Sequence, residues 1–417
     1  MRAALVTLVC GSLLAGAAML AGESQNLRER EEHPRLRAAL DFIREAEPST
    51  VTQQVRLCEV PAPTFGERAR AEVVRELFAA AGLKNVRRDG EGNVVGDWPG
   101  RSPRPHVVLA AHLDTVFPEG TRVTVRRDGS ILRGPGIGDN CRGLAVLTAV
   151  ARALSKARLE TQGSITFAAT VAEEGLGDLR GVRALMTTTL KSRVDRFVAV
   201  DGSGTSITNI GVGSRRYRVT FRGSGGHSYN NFGRPNPAQA LGRAMALISD
   251  IRVPSNPKTT FSVGRIGGGT SINAIPAEAW MELDLRSVDA KALEALDRSI
   301  QGVLQRAADQ ENARWNSQDL VRVISNPVGN RPAGRSDERS MIVQAALAAS
   351  RQAGVTASLS EGSTDANLPM QMNIPAIAIG AGGRGSGVHS LDETFDSRNS
   401  VRGTDRALRL AVALTQP

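Results

Sequence analysis

Short apolar runs, each followed by a polar or glycine-rich loop, recur toward both ends of the chain. Val107–Ala111, Ile165–Val171, Phe197–Val200 and Ala376–Gly380 are too short for helices and almost wholly apolar. That is the pattern of strands buried on both faces. Segments with apolar residues at helical spacing separate them, including Leu144–Leu154 and Ser340–Ala353. Upstream, Glu67–Ala81 places Ala71, Val74, Leu77, Phe78 and Ala81 on one helical face and stops at Gly82, a normal helix exit. A charged stretch from about residue 23 to 50 reads as a helix ending near Pro48. Strands alternating with helices predict an α/β domain with a mostly parallel sheet and helices on both faces.

The middle of the chain has a different rhythm. Tyr217–Phe221 alternates as a strand, Ala238–Ile251 is helical, and Thr259–Ile266 and Trp280–Leu285 are again strands. Asp289–Asp309 is a long amphipathic helix and Leu320–Ile324 a last strand. The sum is a β-α-β-β-α-β unit. Because α/β signals resume after it, residues 210–325 read as an insertion into a discontinuous domain of residues 22–209 and 326–417. The glycine clusters at 267–269 and 380–387 read as loops.

The first residues, MRAALVTLVCGSLLAGAAMLA, carry one Arg and then an apolar stretch ending in small residues. Residues 1–21 therefore read as a bacterial secretory signal, and the protein as exported to the periplasm or medium. An uncleaved anchor is the alternative; after cleavage no membrane partner is expected. The 417 residues suit two domains at about 100–200 residues each. With 41% hydrophobic and 23% charged residues, global disorder is excluded. The net charge is +10, but the arginines are scattered rather than run together, so no nucleic-acid partner is expected. Three cysteines exclude a disulfide scaffold. Cys58 and Cys141 remain after cleavage, and their spacing leaves open whether they meet.

Candidate chemistry gathers where strands end, which is where open α/β sheets bind ligands. His112-Leu113-Asp114 follows the first apolar run, and in extended chain His112 and Asp114 point the same way. Asp114 is thereby placed to hydrogen-bond one imidazole nitrogen and leave the other for a metal. Gly134-Pro135-Gly136-Ile137-Gly138-Asp139 is a glycine-rich loop ending in a carboxylate. Glu173-Glu174 follows the second run, Asp201 the third, and His389 lies just past the glycine-rich loop after the fourth. Taken singly, each fits a structural pair, a turn or a helix cap. Taken together, two imidazoles and three carboxylates form a donor set for two divalent ions sharing one carboxylate, with a spare glutamate as general base. Mixed nitrogen and oxygen donors suit two Zn²⁺, with Co²⁺ or Mn²⁺ as substitutes.

The order His-x-Asp, glycine-rich Asp, Glu-Glu, Asp and late His resembles the M20 metallopeptidases, over most of residues 50–417. The resemblance implies a zinc-peptidase-type fold whose inserted β-α-β-β-α-β unit is a lid and dimerisation domain, and hence a homodimer. Gly225-Gly226-His227-Ser228 and Ser271-Ile272-Asn273-Ala274-Ile275-Pro276 are similar to that family's lid signatures. Carried over, it implies His112 and Asp201 on one metal, Glu174 and His389 on the other, and Asp139 bridging. Glu173 becomes the general base, Asp114 the residue orienting His112, and His227 an oxyanion donor reaching across from a partner subunit. The peptide after Asp139 is expected to be cis. Arg331, in Asn330-Arg331-Pro332-Ala333, resembles a carboxylate-binding segment, with Asn273, Ser363 and Thr364 as neighbours and Arg286 as a second candidate. Cys141 departs from the family's usual residue after the bridging region and is either a small buried residue or a stray ligand. The implied activity is hydrolysis of short peptides. The alternatives are hydrolysis of N-acyl, N-carbamoyl or N-succinyl amino acids, or a non-catalytic binding protein on the same fold.

Overall fold

The computed structural model describes residues 33–417, so the signal-like segment lies outside the described residues. A nine-stranded sheet forms the larger domain. Across it run Lys84–Arg88, Val94–Trp98, Ser164–Thr170, His106–His112, Arg196–Val200, Ala376–Ile379, Ile207–Gly211 and Gly334–Arg335, with Leu359–Gly362 also pairing Ile207–Gly211. The four strands anticipated from their apolar runs are the parallel centre, and antiparallel partners flank them.

Alternation along the His106–His112 strand feeds two cores. Val107, Leu109 and Ala111 face one cluster, with residues of the helices Pro34–Cys58, Arg68–Ala80, Cys141–Lys156, Met341–Gln352 and Val401–Leu414. Val108 and Ala110 face the other, with Val182, Met186, Leu368 and Met370. Register then aligns the strand ends. His112 sits opposite Thr170, Ala110 opposite Ala199, and Val200 opposite Ile379. The loops that carry Asp114, Glu173 and Asp201 therefore leave the sheet side by side.

The first helix does not stop at Pro48 but runs Pro34–Cys58 straight through it. Pro34 opens the helix, where its missing N–H costs nothing. Leu40, Ile43, Val51 and Leu57 bury the helix from either side of Pro48, so packing overrides the local breaker.

The inserted unit builds its own antiparallel sheet in the order Thr259–Gly268, Glu278–Ser287, Gly213–Arg222, Arg322–Arg331. Helices Pro237–Ser249 and Ala290–Ala313 bury one face of it around Phe221, Ile248, Met281, Leu283 and Ile300. Its last strand, expected to close at Ile324, continues to Arg331. Gly267 and Gly268 belong to a strand rather than a loop.

A small four-stranded sheet, Arg384–Ser386, Thr394–Asp396, Ile131–Arg133 and Arg126–Asp128, had no periodic signal because each strand has three residues. Its pairing of Phe395 with Leu132 holds the His389 hairpin against the strand that leads into the Asp139 loop. Part of the glycine cluster at 380–387 is thus also strand.

Candidate metal centre

Five donors close on one another at the carboxyl edge of the parallel strands. His112 Nε2 lies 2.9 Å from Asp139 Oδ1 and 3.6 Å from Asp201 Oδ1. His389 Nε2 lies 3.2 Å from Asp139 Oδ2 and 3.0 Å from Glu174 Oε1. Asp139 thus turns one carboxylate oxygen toward each group. Two metal-competent sets result, His112–Asp139–Asp201 and Asp139–Glu174–His389, and they share Asp139. A third set, His112–Glu173–Glu174, overlaps them.

Asp114 does something different from the expectation. His112 Nδ1 is 3.0 Å from the Asp114 backbone carbonyl, with the Asp114 carboxylate farther away at 3.5 Å. That carboxylate instead accepts the backbone N–H groups of Glu173 at 3.0 Å and Glu174 at 2.9 Å, and the Thr64 hydroxyl at 2.9 Å. It fixes the main chain of the glutamate pair as well as backing the imidazole.

The Asp139 loop has a support that the sequence did not advertise. Glu393, 1% exposed, accepts from the backbone N–H groups of Gly136, Gly138 and Asp139 at 2.9, 2.8 and 3.0 Å. Gly136 has φ +77°, and a Cβ there would meet Thr115 Cγ2 at 2.7 Å, so the turn admits only glycine. The Asp139–Asn140 peptide is cis, as anticipated. Asn140 caps the helix Cys141–Lys156 and donates to the Val200 carbonyl. Glu67, also unmarked by any motif, accepts from Ala172 N–H at 3.0 Å just before the glutamate pair.

Electrostatics follow from this crowding. Burial disfavours a charged His112, but its carboxylate partners Asp114, Asp139 and Asp201 outweigh burial and raise its pKa. His389 is pushed up to about 10 by Asp139 and Glu174. Burial raises the pKa of Glu173, with neighbouring Glu174 adding to the shift and Arg331 opposing it. Burial likewise raises Asp201. Three packed carboxylates facing two imidazoles are a donor set that divalent cations satisfy better than protons.

The chain matches the model of peptidase family M20/M25/M40 over residues 108–413. It belongs to that family. Membership makes it a hydrolase acting on amide bonds. Among curated relatives, the succinyl-diaminopimelate desuccinylase of Bordetella avium is 28% identical over 305 residues, covering 67% of this chain and 76% of that one. Aminopeptidase PepT from Bacillus cereus superposes with a TM-score of 0.72 at 20% identity, over 89% of this chain and 99% of that one. A dinuclear metal-binding M20 peptidase from Bacillus subtilis gives 0.67 at 19% identity, over the same shares. At such identities the two structures speak to the fold alone, and the fold is the M20 fold.

Elsewhere in this M20 chain Ser363 lies beside Arg331 as expected, while Asn273 and Arg286 sit in the inserted unit. Arg331 is not a free fork. It is 4% exposed, its Nη1 donates to Glu173 Oε1 at 3.0 Å and to Ser363 Oγ at 3.2 Å, and its Nη2 donates to the Glu173 carbonyl. A buried carboxylate beside it has captured the guanidinium that was expected to grip substrate. Thr364 is buried and spends its hydroxyl on Ala366 N–H. Arg286 stays within the inserted unit, donating to Asp284 at 2.6 Å. Asn273 and His227 are exposed on the inserted unit, joined through the paired strands Gly226–His227 and Ala274–Ile275. His227 Nδ1 accepts from Tyr229 and Asn230 N–H at 3.2 and 3.4 Å. Cys141 and Cys58 are free thiols, fully buried, facing each other in a cluster with Ile137 and Phe395, and Cys141 joins none of the donor sets.

Proposed function

We propose that this chain is a dinuclear zinc hydrolase that cleaves the amide bonds of short peptides, with Glu173 as general base. The observation that carries the reading is Asp139, whose two oxygens address two separate donor sets. His112 and Asp201 would hold one ion and Glu174 and His389 the other, with Co²⁺ or Mn²⁺ as substitutes for Zn²⁺. When bound, the ions lower the pKa of water and polarise the scissile carbonyl. Glu173 accepts the proton of the attacking water and returns it to the departing amine. Burial raises its proton affinity, which suits that exchange, while Arg331 pins its Oε1. Asp114 holds the backbone of both glutamates in register with His112.

His227, exposed and outside its own chain's donor sets, is proposed to serve the neighbouring protomer of a homodimer as oxyanion donor. The N-terminal segment supports export. Similarity to succinyl-diaminopimelate desuccinylases favours one second reading, hydrolysis of N-acyl amino acids by the same machinery.

Metal removal tests the proposal. Purified protein is expected to carry two zinc ions per chain by elemental analysis. Dialysis against a chelator should cut hydrolysis of a dipeptide panel by about 100-fold or more, with recovery on adding Zn²⁺. Full activity in metal-free protein would sink the reading.

A further inference from the structure

Beside the metal centre lies a cavity of about 660 Å³ that the machinery above does not use. Three loops wall it, and each is tied to the site. Residues 115–119 continue from Asp114, Gly175 and Leu176 continue from Glu174, and Thr64, in the 61–66 loop, bonds the Asp114 carboxylate at 2.9 Å. A bridge between Pro63 and Thr115 ties the first and third of these loops together.

The walls turn three large apolar side chains to solvent. Phe65 is 55% exposed, Leu176 65% and Val116 37%, joined by Pro63, Phe117 and Pro118. Exposed large apolar side chains that converge on one cavity mark a binding surface rather than ordinary exterior. Phe65 is also held in a costly posture, with φ +74°, which a bulky residue adopts only when its surroundings enforce it. Its N–H donates to Glu67 Oε1 at 2.8 Å, the oxygen that also accepts from Ala172 beside the glutamate pair. The Arg180 guanidinium stacks on the Phe65 ring, 4.9 Å from its centroid. The loop thus spends backbone strain and two anchoring contacts to present an aromatic ring next to the catalytic edge.

We propose that this cavity is a side-chain subsite taking a large apolar residue, aliphatic or aromatic, on one flank of the scissile amide. The proposal rests on the amide-hydrolase reading above and narrows its substrate class. Among the described residues lining the cavity the one charged group is Glu119. An anionic succinyl arm would meet that like charge, and the Arg180 guanidinium on the Phe65 ring is already paired with Glu91, whereas Leu or Phe would cover Phe65, Val116 and Leu176.

The test uses zinc-loaded full-length protein and steady-state kinetics on Gly-Gly, Leu-Gly, Gly-Leu, Phe-Gly and Gly-Phe, with N-acetyl- and N-succinylglycine alongside. The best Leu or Phe substrate is expected to exceed Gly-Gly in kcat/KM by about tenfold or more, equivalent to about 1.4 kcal/mol. N-succinylglycine should be no better than N-acetylglycine. Leu176→Asn removes the apolar wall at an exposed position, and Phe65→Gly removes the ring while suiting the positive φ. Each should reduce the Leu-to-Gly ratio to within about threefold. Equal hydrolysis of Gly-Gly and the apolar dipeptides, or a preference untouched by both variants, overturns the subsite. So does conversion of a dimer to monomer by Leu176→Asn with substrate preference intact, since the cavity would then seat a second copy. Hydrolysis of none of these amides by fully zinc-loaded protein overturns the underlying activity instead.

Discussion

Glu173→Ala is expected to lower kcat by about 10²–10⁴ or more while leaving metal content close to that of the parent. The expectation rests on the division of labour within the glutamate pair. Glu174 lies 3.0 Å from His389 and in the set it shares with Asp139, whereas Glu173 is bonded to Arg331. One complication is physical. Alanine leaves Arg331 buried without its carboxylate, and breaking a buried pair by removing one partner costs about 3–5 kcal/mol of stability. Glu173→Gln separates the two effects, because the amide oxygen still accepts from Arg331 but cannot take a proton. Thermal unfolding should show Gln more stable than Ala, and both should be inactive. Glu173 also appears with His112 and Glu174 in the third donor set, which gives the opposite outcome a definite meaning. If Glu173→Ala loses zinc and Glu174→Ala keeps it, the roles are exchanged.

The sequence made the metal-competent donors legible because they sit where parallel strands end. Once Val107–Ala111, Ile165–Val171 and Phe197–Val200 are read as neighbours in one sheet, His112, the glutamate pair and Asp201 must emerge together. That His389 joins these donors was legible from its place past the loop after the fourth run, but its pairing about Asp139 came only through the family resemblance. In physical terms it depends on three-residue strands pairing Phe395 with Leu132, too short for any periodicity to register. Glu393 was invisible for a related reason. It binds backbone N–H groups rather than side chains, and main-chain partners leave no residue-type signature. Arg331 shows how a motif can locate a residue and miss its partner. A guanidinium fits a substrate carboxylate and a protein carboxylate equally well, and the fold supplied Glu173 within reach. Pro48 marks the same limit for local rules, since a helix buried along Leu40, Ile43, Val51 and Leu57 tolerates one missing hydrogen bond.

Mixing two inactive variants is expected to restore activity if His227 works across a dimer. His227→Ala alone should lower kcat by about 10²–10³, the usual cost of one oxyanion donor, with a smaller change in KM. The residue offers the right chemistry for that role. Its Nδ1 accepts backbone N–H groups of Tyr229 and Asn230, which fixes the tautomer so that Nε2 carries the proton and donates outward. Its strand in the inserted unit keeps it exposed and outside the donor sets of its own chain, where the proposed dimer would present it to another copy. Co-refolding equal amounts of Glu173→Ala and His227→Ala chains gives a mixed dimer with one complete site, built from the native Glu173 of one chain and the native His227 of the other. With random pairing of twofold-symmetric dimers, about a quarter of the parent activity should return. If His227 acts within its own chain, the mixed dimer contains two crippled sites and nothing returns. Full activity of His227→Ala on its own would remove the residue from the mechanism altogether, leaving stabilisation of the oxyanion to the proposed ions.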